Sequence, residues 1–214
     1  MTREEILGRY RRDRAISVKL QTGALAQISR PVLLRQAKRL GLSNGKVLRV
    51  SHDDELTLVF DLLLYTTTPP LGRSRAIDRY ARVHRPVPGS DEARVLSALQ
   101  GSRFSLFQVK ERHPMAGLIM TDLLREGESW LMDEGLEASA QVGAVFGTRL
   151  ARPDTFALTC GALVPIDSET LGRLASVIDE AGTVPAELAD DPRFAEFLYQ
   201  LALQLDLTGF VSYR

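Results

Sequence analysis

The chain has 214 residues, of which 44% are hydrophobic and 25% are charged, and its 27 basic residues balance its 27 acidic residues. This composition is typical of a soluble globular protein that is long enough to bury a core. No apolar run approaches the roughly 20 residues that a membrane-spanning helix needs, and the charged N-terminus does not resemble a signal peptide. We therefore expect a cytoplasmic protein with no membrane partner.

Helical patterns occupy most of the first hundred residues. Residues 3–28 predict a weakly amphipathic helix, and Pro31 begins a clearer helix that Gly41 is placed to end. Ser51 predicts the N-cap of a very apolar helix, which we place in the centre of the core. Two further helices are predicted over residues 74–85 and after the capping residue Ser90.

Short strands dominate the next part of the chain. In "FSLFQVKE", Phe107 and Val109 alternate with polar residues, which is the pattern of a half-buried strand. Four more strand patterns follow, separated by turn residues, and Gly143 and Gly147 would permit strong bending. Five short strands over about 60 residues predict a small curled antiparallel sheet or a partly open barrel.

The pattern returns to helix after Asp167, and Pro192 suits the first turn of the last helix. No repeat or low-complexity linker divides the chain. We predict an α+β fold in one compact unit, with a mainly helical region over residues 1–102, a barrel-like antiparallel sheet over 103–166 and C-terminal helices over 167–214.

Metal and cofactor chemistry finds little support in the sequence. His52, His84 and His113 lie far apart, and none has a second ligand at helix or strand spacing. The single cysteine, Cys160, allows no internal disulfide, and we expect it to be a small buried residue rather than a nucleophile. Glycine-rich phosphate loops and nucleophile elbows are absent. We therefore predict no cofactor, no metal and no catalytic residue.

Asp61 is the most informative acidic residue. It lies within the apolar stretch "LVFDLLLY", where a lone buried charge is costly. It either faces a crevice or pairs with an arginine of the next segment, for which the candidates are Arg73, Arg75 and Arg79. A structural ion pair is favoured over a catalytic acid.

Charge is unevenly distributed along the chain. Residues 1–50, here called the basic segment, contain twelve Lys and Arg against three Asp and Glu, so their net charge is +9 and that of the remainder is −9. This asymmetry favours an anionic partner for the basic segment. It also allows the two halves to face each other, within one molecule or across a homodimer, and a merely solvated surface is the third interpretation.

Seven residues form the predicted polyanion-binding surface of the basic segment: Arg9, Arg11, Arg12, Arg14, Arg35, Lys38 and Arg39. The first four fall within two helical turns, and the last three share one face of the next helix. This arrangement predicts non-specific contacts with phosphates. The stretch "LLRQAKRLGL" resembles the first helix of a helix-turn-helix, but "SNGKVLRV" is no recognition helix, so sequence-specific DNA reading is not expected.

Several segments between residues 30 and 166 resemble an uncharacterised bacterial group. They include "DELTLVFDLLLY", "AIDRYARV", "DLLREGESWLMDE", "VGAVFGTRLA" and "FALTCGALVPI". They are similar to the body of proteins that often end in a SEC-C zinc motif. Residues 167–214 contain no Cys and no His, so the zinc motif itself is absent. The resemblance implies an architecture and no activity.

We expect a non-enzymatic binding or adaptor protein that contacts nucleic acid, another polyanion or a protein partner through the basic segment. The alternative is a structural or homo-oligomerising protein whose oppositely charged halves meet. A third hypothesis is an enzyme with a pocket near Asp61, Arg73 and Arg79. A pocket with convergent polar groups would favour this third hypothesis.

Overall fold

The computed structural model describes residues 1–67, 74–181 and 184–205. Five helices precede the sheet: α1 (Arg3–Leu25), α2 (Arg30–Arg39), α3 (Asp53–Tyr65), α4 (Ala76–Val83) and α5 (Asp91–Gln100). The sheet region contains β1 (Arg103–Arg112), β2 (Leu118–Asp122), β3 (Glu128–Leu131), α6 (Glu134–Ser139), β4 (Val145–Ala151) and β5 (Leu158–Ile166). It is followed by α7 (Ser168–Ala181), α8 (Pro185–Asp190) and α9 (Pro192–Gln204).

The α+β prediction is confirmed. The five strands form one antiparallel sheet in the order β3-β2-β1-β4-β5. The two edges approach each other through a single bridge between Leu131 and Ala157, so the sheet is strongly curled but not closed. Of the two predicted alternatives, the structure has the open, curled sheet.

Local sequence signals account for many element boundaries. The Ser90 hydroxyl accepts a hydrogen bond from the N–H of Ala93 and caps α5, and prolines lie in the first turns of α2 and α9. The predicted cap at Ser51 is wrong: α3 begins after His52, and the Ser51 N–H donates to Glu55 instead. Helix α6 was not predicted; Asp133 caps it by accepting from the N–H of Leu136.

The two faces of the curled sheet are covered differently. Its first face packs on α3 and α9, where Leu62 and Leu198 are fully buried beside Leu106 of β1. Its second face packs on α6, and Phe107 and Phe146 are buried there beside Leu136. Apolar side chains therefore occupy both sides of β1, which explains the long buried run in its centre.

Helix α1 has a buried stripe that is partly polar. Its buried residues are Ile6, Tyr10, Asp13, Ser17, Leu20 and Ala24. They recur every three or four residues, as expected for one helical face. The two polar members, Asp13 and Ser17, weaken the amphipathic pattern that sequence analysis detects. In the described part of the chain, no helix is both long and apolar enough to cross a membrane.

Candidate functional site

A buried ion pair joins α3 to β4. The Asp61 carboxylate accepts hydrogen bonds from Arg149 at 2.9 Å from Nε and 3.2 Å from Nη2, and the Tyr199 hydroxyl of α9 donates to the same carboxylate at 2.9 Å. The side chains of Asp61 and Arg149 are 1% and 7% exposed. Asp61 is therefore satisfied by two partners from distant parts of the chain.

The surroundings of Arg149 hold its guanidinium in one orientation. Its carbon Cζ lies 4.8 Å from the ring centre of Tyr65 and 5.7 Å from that of Phe104, so the cation stacks on aromatic faces. The β4–β5 register is irregular at this point, since Thr148 faces Leu163 whereas Leu150 faces Thr159. Irregularities of this kind re-aim a strand side chain.

The β4–β5 irregularity opposite Arg149 requires a glycine in β5, Gly161. Gly161 has φ of +124°, a conformation that side-chain-bearing residues rarely adopt. Nothing lies within 4 Å of the position that a Cβ would take there. Backbone conformation, and not space, therefore selects glycine at this position.

Burial changes the acid–base properties of the groups around this ion pair. Burial raises the pKa of the Cys160 thiol to about 12, so the thiol stays protonated and weakly nucleophilic at neutral pH. Burial and then the charge of Asp61 raise the pKa of Tyr199. Burial alone would lower the pKa of Arg149, but Asp61 outweighs it and raises that pKa. The cluster is thus a permanent ion pair among neutral groups.

A cavity of about 270 Å³ opens beside this ion pair. Among the described residues, four arginines line it, namely Arg75, Arg103, Arg125 and Arg149, and we call this cavity the arginine pocket. Its remaining lining includes Phe104 and residues 189–192 of the α8–α9 region. Four guanidinium groups at one small cavity are typical of a site that binds anions.

The turn between β2 and β3 positions Arg125. The Asp122 carboxylate accepts hydrogen bonds from the backbone N–H groups of Leu124 and Arg125 at 3.0 and 3.1 Å, which fixes the turn. Arg125 then donates from Nη1 to the Phe104 carbonyl at 2.8 Å and from Nη2 to Asp190 at 2.7 Å. Its Nε is buried and has no hydrogen-bond partner within the described residues.

The other two arginines differ in how firmly they are held. Arg75 precedes α4 and donates to Asp78 from Nε and Nη2, at 2.7 and 3.0 Å, and to the Gln100 carbonyl at 2.6 Å. Arg103 begins β1, and its exposed side chain forms no hydrogen bond or ion pair with any described residue. The arginine pocket thus has fixed cations inside and a free cation at its mouth.

Acidic side chains border the same cavity. Asp190, at the end of α8, is 71% exposed and pairs with Arg125, and hydrogen bonding to Arg125 lowers the pKa of Asp190. Asp191 caps α9 and pairs with Arg193. Because Asp190 lies at the surface, its contact with Arg125 can be broken without exposing a buried charge.

The arginines predicted to lie near Asp61 occupy other positions in the structure. Asp61 pairs with Arg149 rather than with Arg75, which lines the neighbouring cavity and pairs with Asp78. Arg79 donates to the Ser74 carbonyl at the start of α4 and does not line the cavity. Arg73 lies outside the described residues. Within the described ranges, the expected segment therefore supplies one arginine of the pocket, Arg75.

Much of the predicted polyanion-binding surface is engaged in contacts within the molecule. Arg9 pairs with Asp154, Arg11 with Glu134 and Arg39 with Glu196, and Arg14 donates to the Thr159 carbonyl. In contrast, Arg12, Arg35 and Lys38 are exposed and form no ion pair with a described residue. The acids that pair with α1 come mostly from the loops and α6 of the sheet region.

The histidines and other ligating residues do not converge in the described ranges. No group of three His, Cys, Asp or Glu there could hold a metal ion. His84 stacks on Tyr80 with ring centres 4.8 Å apart, and His113 stacks on Trp130 at 4.0 Å. Both histidines thus have packing contacts.

A family of unknown function (DUF7986) matches residues 4–208. The chain belongs to this family. The match extends over nearly the whole chain, so the expectation of an uncharacterised family is confirmed, and the family description names no activity. No curated protein and no solved structure matches the chain.

Three of the four pocket arginines were missed by sequence analysis. A signal existed for Arg149, since it interrupts the apolar strand pattern "VFGTRLA" just as Asp61 interrupts α3. Arg103 and Arg125 lie at a strand end and in a turn, where arginines are common on any surface. Only their positions in space distinguish them.

Proposed function

We propose that this protein binds a small anionic ligand in the arginine pocket and has no catalytic role there. The observation that carries the proposal is the group of four arginines around one cavity of about 270 Å³. Three of these guanidinium groups are held by acceptors behind them, namely Asp61, Asp78 and the Phe104 carbonyl. A site whose donors are already oriented loses little entropy when a ligand binds.

The chemistry of the neighbouring groups supports binding over catalysis. The Asp61 carboxylate is occupied by Arg149 and Tyr199, so it has little capacity to act as a base. The Cys160 thiol, whose pKa burial raises to about 12, is a poor nucleophile at neutral pH. Both features favour ligand binding over catalysis at this site.

The proposal is tested by thermal unfolding in phosphate, acetate and chloride at constant ionic strength, with wild-type protein and the Arg103→Gln variant. A ligand that binds only the folded state raises the unfolding midpoint with its concentration. Loss of the charge-assisted hydrogen bonds of Arg103 should weaken binding about 10- to 100-fold. The Arg103 side chain is exposed and forms no hydrogen bond or ion pair with a described residue, so its replacement should leave the fold intact.

The matched control is Arg49→Gln, which removes an exposed arginine that does not line the cavity. This variant should respond to anions as the wild type does. If phosphate and acetate raise the midpoint no more than chloride does, or if Arg103→Gln and Arg49→Gln behave alike, the proposal is wrong.

A second proposal keeps nucleic acid or another polyanion as a partner of the basic segment. It is supported by the exposure of Arg12, Arg35 and Lys38, which form no ion pair with described residues. Replacing these three residues by Ala should weaken binding to labelled RNA and reduce the salt dependence of the affinity. Replacing Arg9 and Arg11 should have a smaller effect, because Asp154 and Glu134 already neutralise them.

The remaining proposals concern the cellular location of the protein, its association into dimers and its family resemblance. We retain a cytoplasmic location, which a single buried free cysteine supports, and a resemblance to the body of SEC-C proteins. Association of two copies through oppositely charged surfaces stays an alternative. It predicts a dimer in sedimentation experiments that dissociates as salt is raised.

A further inference from the structure

We infer that the anionic group recognised in the arginine pocket is a phosphoryl group of a small phosphomonoester, and that this group displaces Asp190. The inference rests on the proposed anion-binding function and specifies its ligand. It is carried by the hydrogen-bond donors that the pocket leaves unused, by the exposed position of Asp190 on Arg125 and by the size of the cavity.

The unused donors exceed what a carboxylate can accept. Arg149 and Arg75 each use Nε and Nη2 for internal partners, which leaves Nη1 of each without a partner among the described residues. The whole guanidinium group of Arg103 is also unused there. One guanidinium fork already satisfies a carboxylate, whereas a phosphoryl group offers three oxygens to several donors.

The four arginines also approach the cavity from different parts of the fold. They belong to the start of α4, the first residue of β1, the β2–β3 turn and the middle of β4. Donors that enter from several directions suit a tetrahedral group better than a planar one. A carboxylate would leave part of this donor set unsatisfied, which costs free energy in a partly buried site.

Displacement of Asp190 makes the pocket cationic. Four ion pairs at the cavity are internally neutral: Arg149–Asp61, Arg75–Asp78, Arg193–Asp191 and, at 3.9 Å, Arg125–Asp122. Among the described residues this leaves Arg103 and Asp190, whose charges cancel while Asp190 is in place. When Asp190 turns into solvent, the net charge of these residues becomes +1, so the pocket then attracts an anion.

Asp190 is suited to this exchange. It contacts Arg125 through a single 2.7 Å hydrogen bond to Nη2, and its side chain is 71% exposed whereas that of Arg125 is 13% exposed. The carboxylate therefore leaves for water at little cost, while Arg125 stays fixed by the Phe104 carbonyl. In the unliganded protein, Asp190 takes the place of the ligand on Arg125.

The size and lining of the cavity limit the body of the ligand. A volume of about 270 Å³ lies below the usual range for drug-sized pockets, about 300 to 1,000 Å³. Phe104, Pro192 and Ala195 supply a short apolar wall beside the arginines. A phosphoryl group on a small organic body fits these dimensions.

The test is titration calorimetry of the full chain with glycerol phosphate and with glycerate, two ligands of similar body that differ in the anionic group. Glycerol phosphate should bind at least about 10-fold more tightly, because it engages more charge-assisted donors. The variant Asp190→Asn should bind glycerol phosphate about 10-fold more tightly than the wild type, since its competing charge is removed. Asp179→Asn, which removes an exposed acid of α7 away from the cavity, should bind as the wild type does.

The outcomes separate this inference from the proposed function. If glycerate binds as tightly as glycerol phosphate, the phosphoryl assignment is wrong and anion binding stands. If Asp190→Asn leaves the affinity for glycerol phosphate unchanged, displacement of Asp190 is wrong. If neither compound nor inorganic phosphate binds to any variant, the proposed function fails together with the inference.

Discussion

At the scale of the single residue, Arg149 connects the core to the candidate site. It is held by Asp61, stacks on two aromatic rings and lines the arginine pocket with the part of its guanidinium group that Asp61 leaves unused. A buried ion pair of this kind adds little net stability over a well-packed apolar pair, but removing one partner is costly. Its expected role is therefore to orient the pocket arginine rather than to stabilise the fold.

Asp61→Ala should destabilise the protein strongly, since it leaves the buried Arg149 cation without its counter-ion and the Tyr199 hydroxyl without its acceptor. We expect the free energy of unfolding in urea to fall by about 3–5 kcal/mol. Replacing the pair together, Asp61→Leu with Arg149→Met, should recover most of this loss while removing anion binding.

The matched control for Asp61 is an exposed ion pair on α7. Glu169→Ala breaks its contact with Arg173, whose side chain is 77% exposed, and should change the free energy of unfolding by less than about 1 kcal/mol. Equal losses for Asp61→Ala and Glu169→Ala would contradict the assignment of Asp61 to a buried, charge-compensating role.

Alkaline pH should destabilise the same cluster. Burial raises the pKa of Cys160 from 9.0 to about 12 in the folded protein, so the unfolded chain loses this proton first as pH increases. This stabilising contribution is complete below about pH 9 and is lost as pH rises toward the folded-state value. The raised pKa values of the buried Tyr65 and Tyr199 act in the same direction above their ordinary value of 10.0.

We expect the free energy of unfolding to fall between about pH 9 and pH 11, and to fall less steeply in Cys160→Ala. Urea denaturation at a series of pH values measures both slopes. Identical slopes for the two proteins would show that the thiol ionises equally easily in the folded and unfolded states.

At the scale of elements, the contact between β4 and α9 depends on a glycine. A Cβ at Gly147 would lie 2.1 Å from Cδ2 of Leu198, a fully buried side chain of α9. The sequence suggests a bend at this glycine, whereas the structure shows that close packing of the helix on the strand requires it. The same strand carries Arg149, so this packing also determines where the pocket arginine lies.

Gly147→Ala should therefore cost about 1–3 kcal/mol in the free energy of unfolding, because Leu198 must move within a close-packed core. Gly172→Ala is the control, since nothing lies within 4 Å of its added methyl group on α7, and it should be neutral or stabilising by up to about 1 kcal/mol. Leu198→Ala combined with Gly147→Ala should cost less than the sum of the single changes. Additive costs would mean that the two side chains do not compete for the same space.

At the scale of the whole molecule, much of the charge asymmetry is neutralised within one chain. Arg3, Arg9 and Arg11 of α1 pair with acids of the sheet region, and in the opposite sense the buried Asp13 of α1 pairs with Arg94 of α5. Helix α1 is thus held across the fold by contacts of both signs. These ion pairs offset part of the charge difference within one molecule.

Asp13→Ala should loosen α1 more than the rest of the fold. Asp13 is 2% exposed and accepts both Nη groups of Arg94, at 3.0 and 2.6 Å, so its loss leaves a partly buried cation without its main counter-ion. Hydrogen exchange of the amides in α1 should become faster while exchange in β1 changes little. Asp91→Ala, which removes only the exposed second partner of Arg94, is the control; an equal effect of the two variants would contradict this role of Asp13.

The sequence by itself determined the features that depend on neighbours within a few residues. The cap at Ser90, the prolines of α2 and α9 and the alternation in β1 each act over one turn or one strand, and together they predict the α+β class. The same local reasoning failed at Ser51, since α3 begins one residue later, after His52, and it missed the short helix α6.

Only the tertiary structure decided which charges meet. Asp61 pairs with an arginine 88 positions away, and the four arginines of the arginine pocket come from four separate segments. The unexpected pairing arises because α3 packs on the sheet at β5, so that Asp61 meets Arg149 of the neighbouring strand β4. Arg75, nearer in sequence, pairs with Asp78 one helical turn away. Ion pairs and pockets depend on long-range packing, and a local pattern of residue types carries no information about which distant side chains that packing brings together.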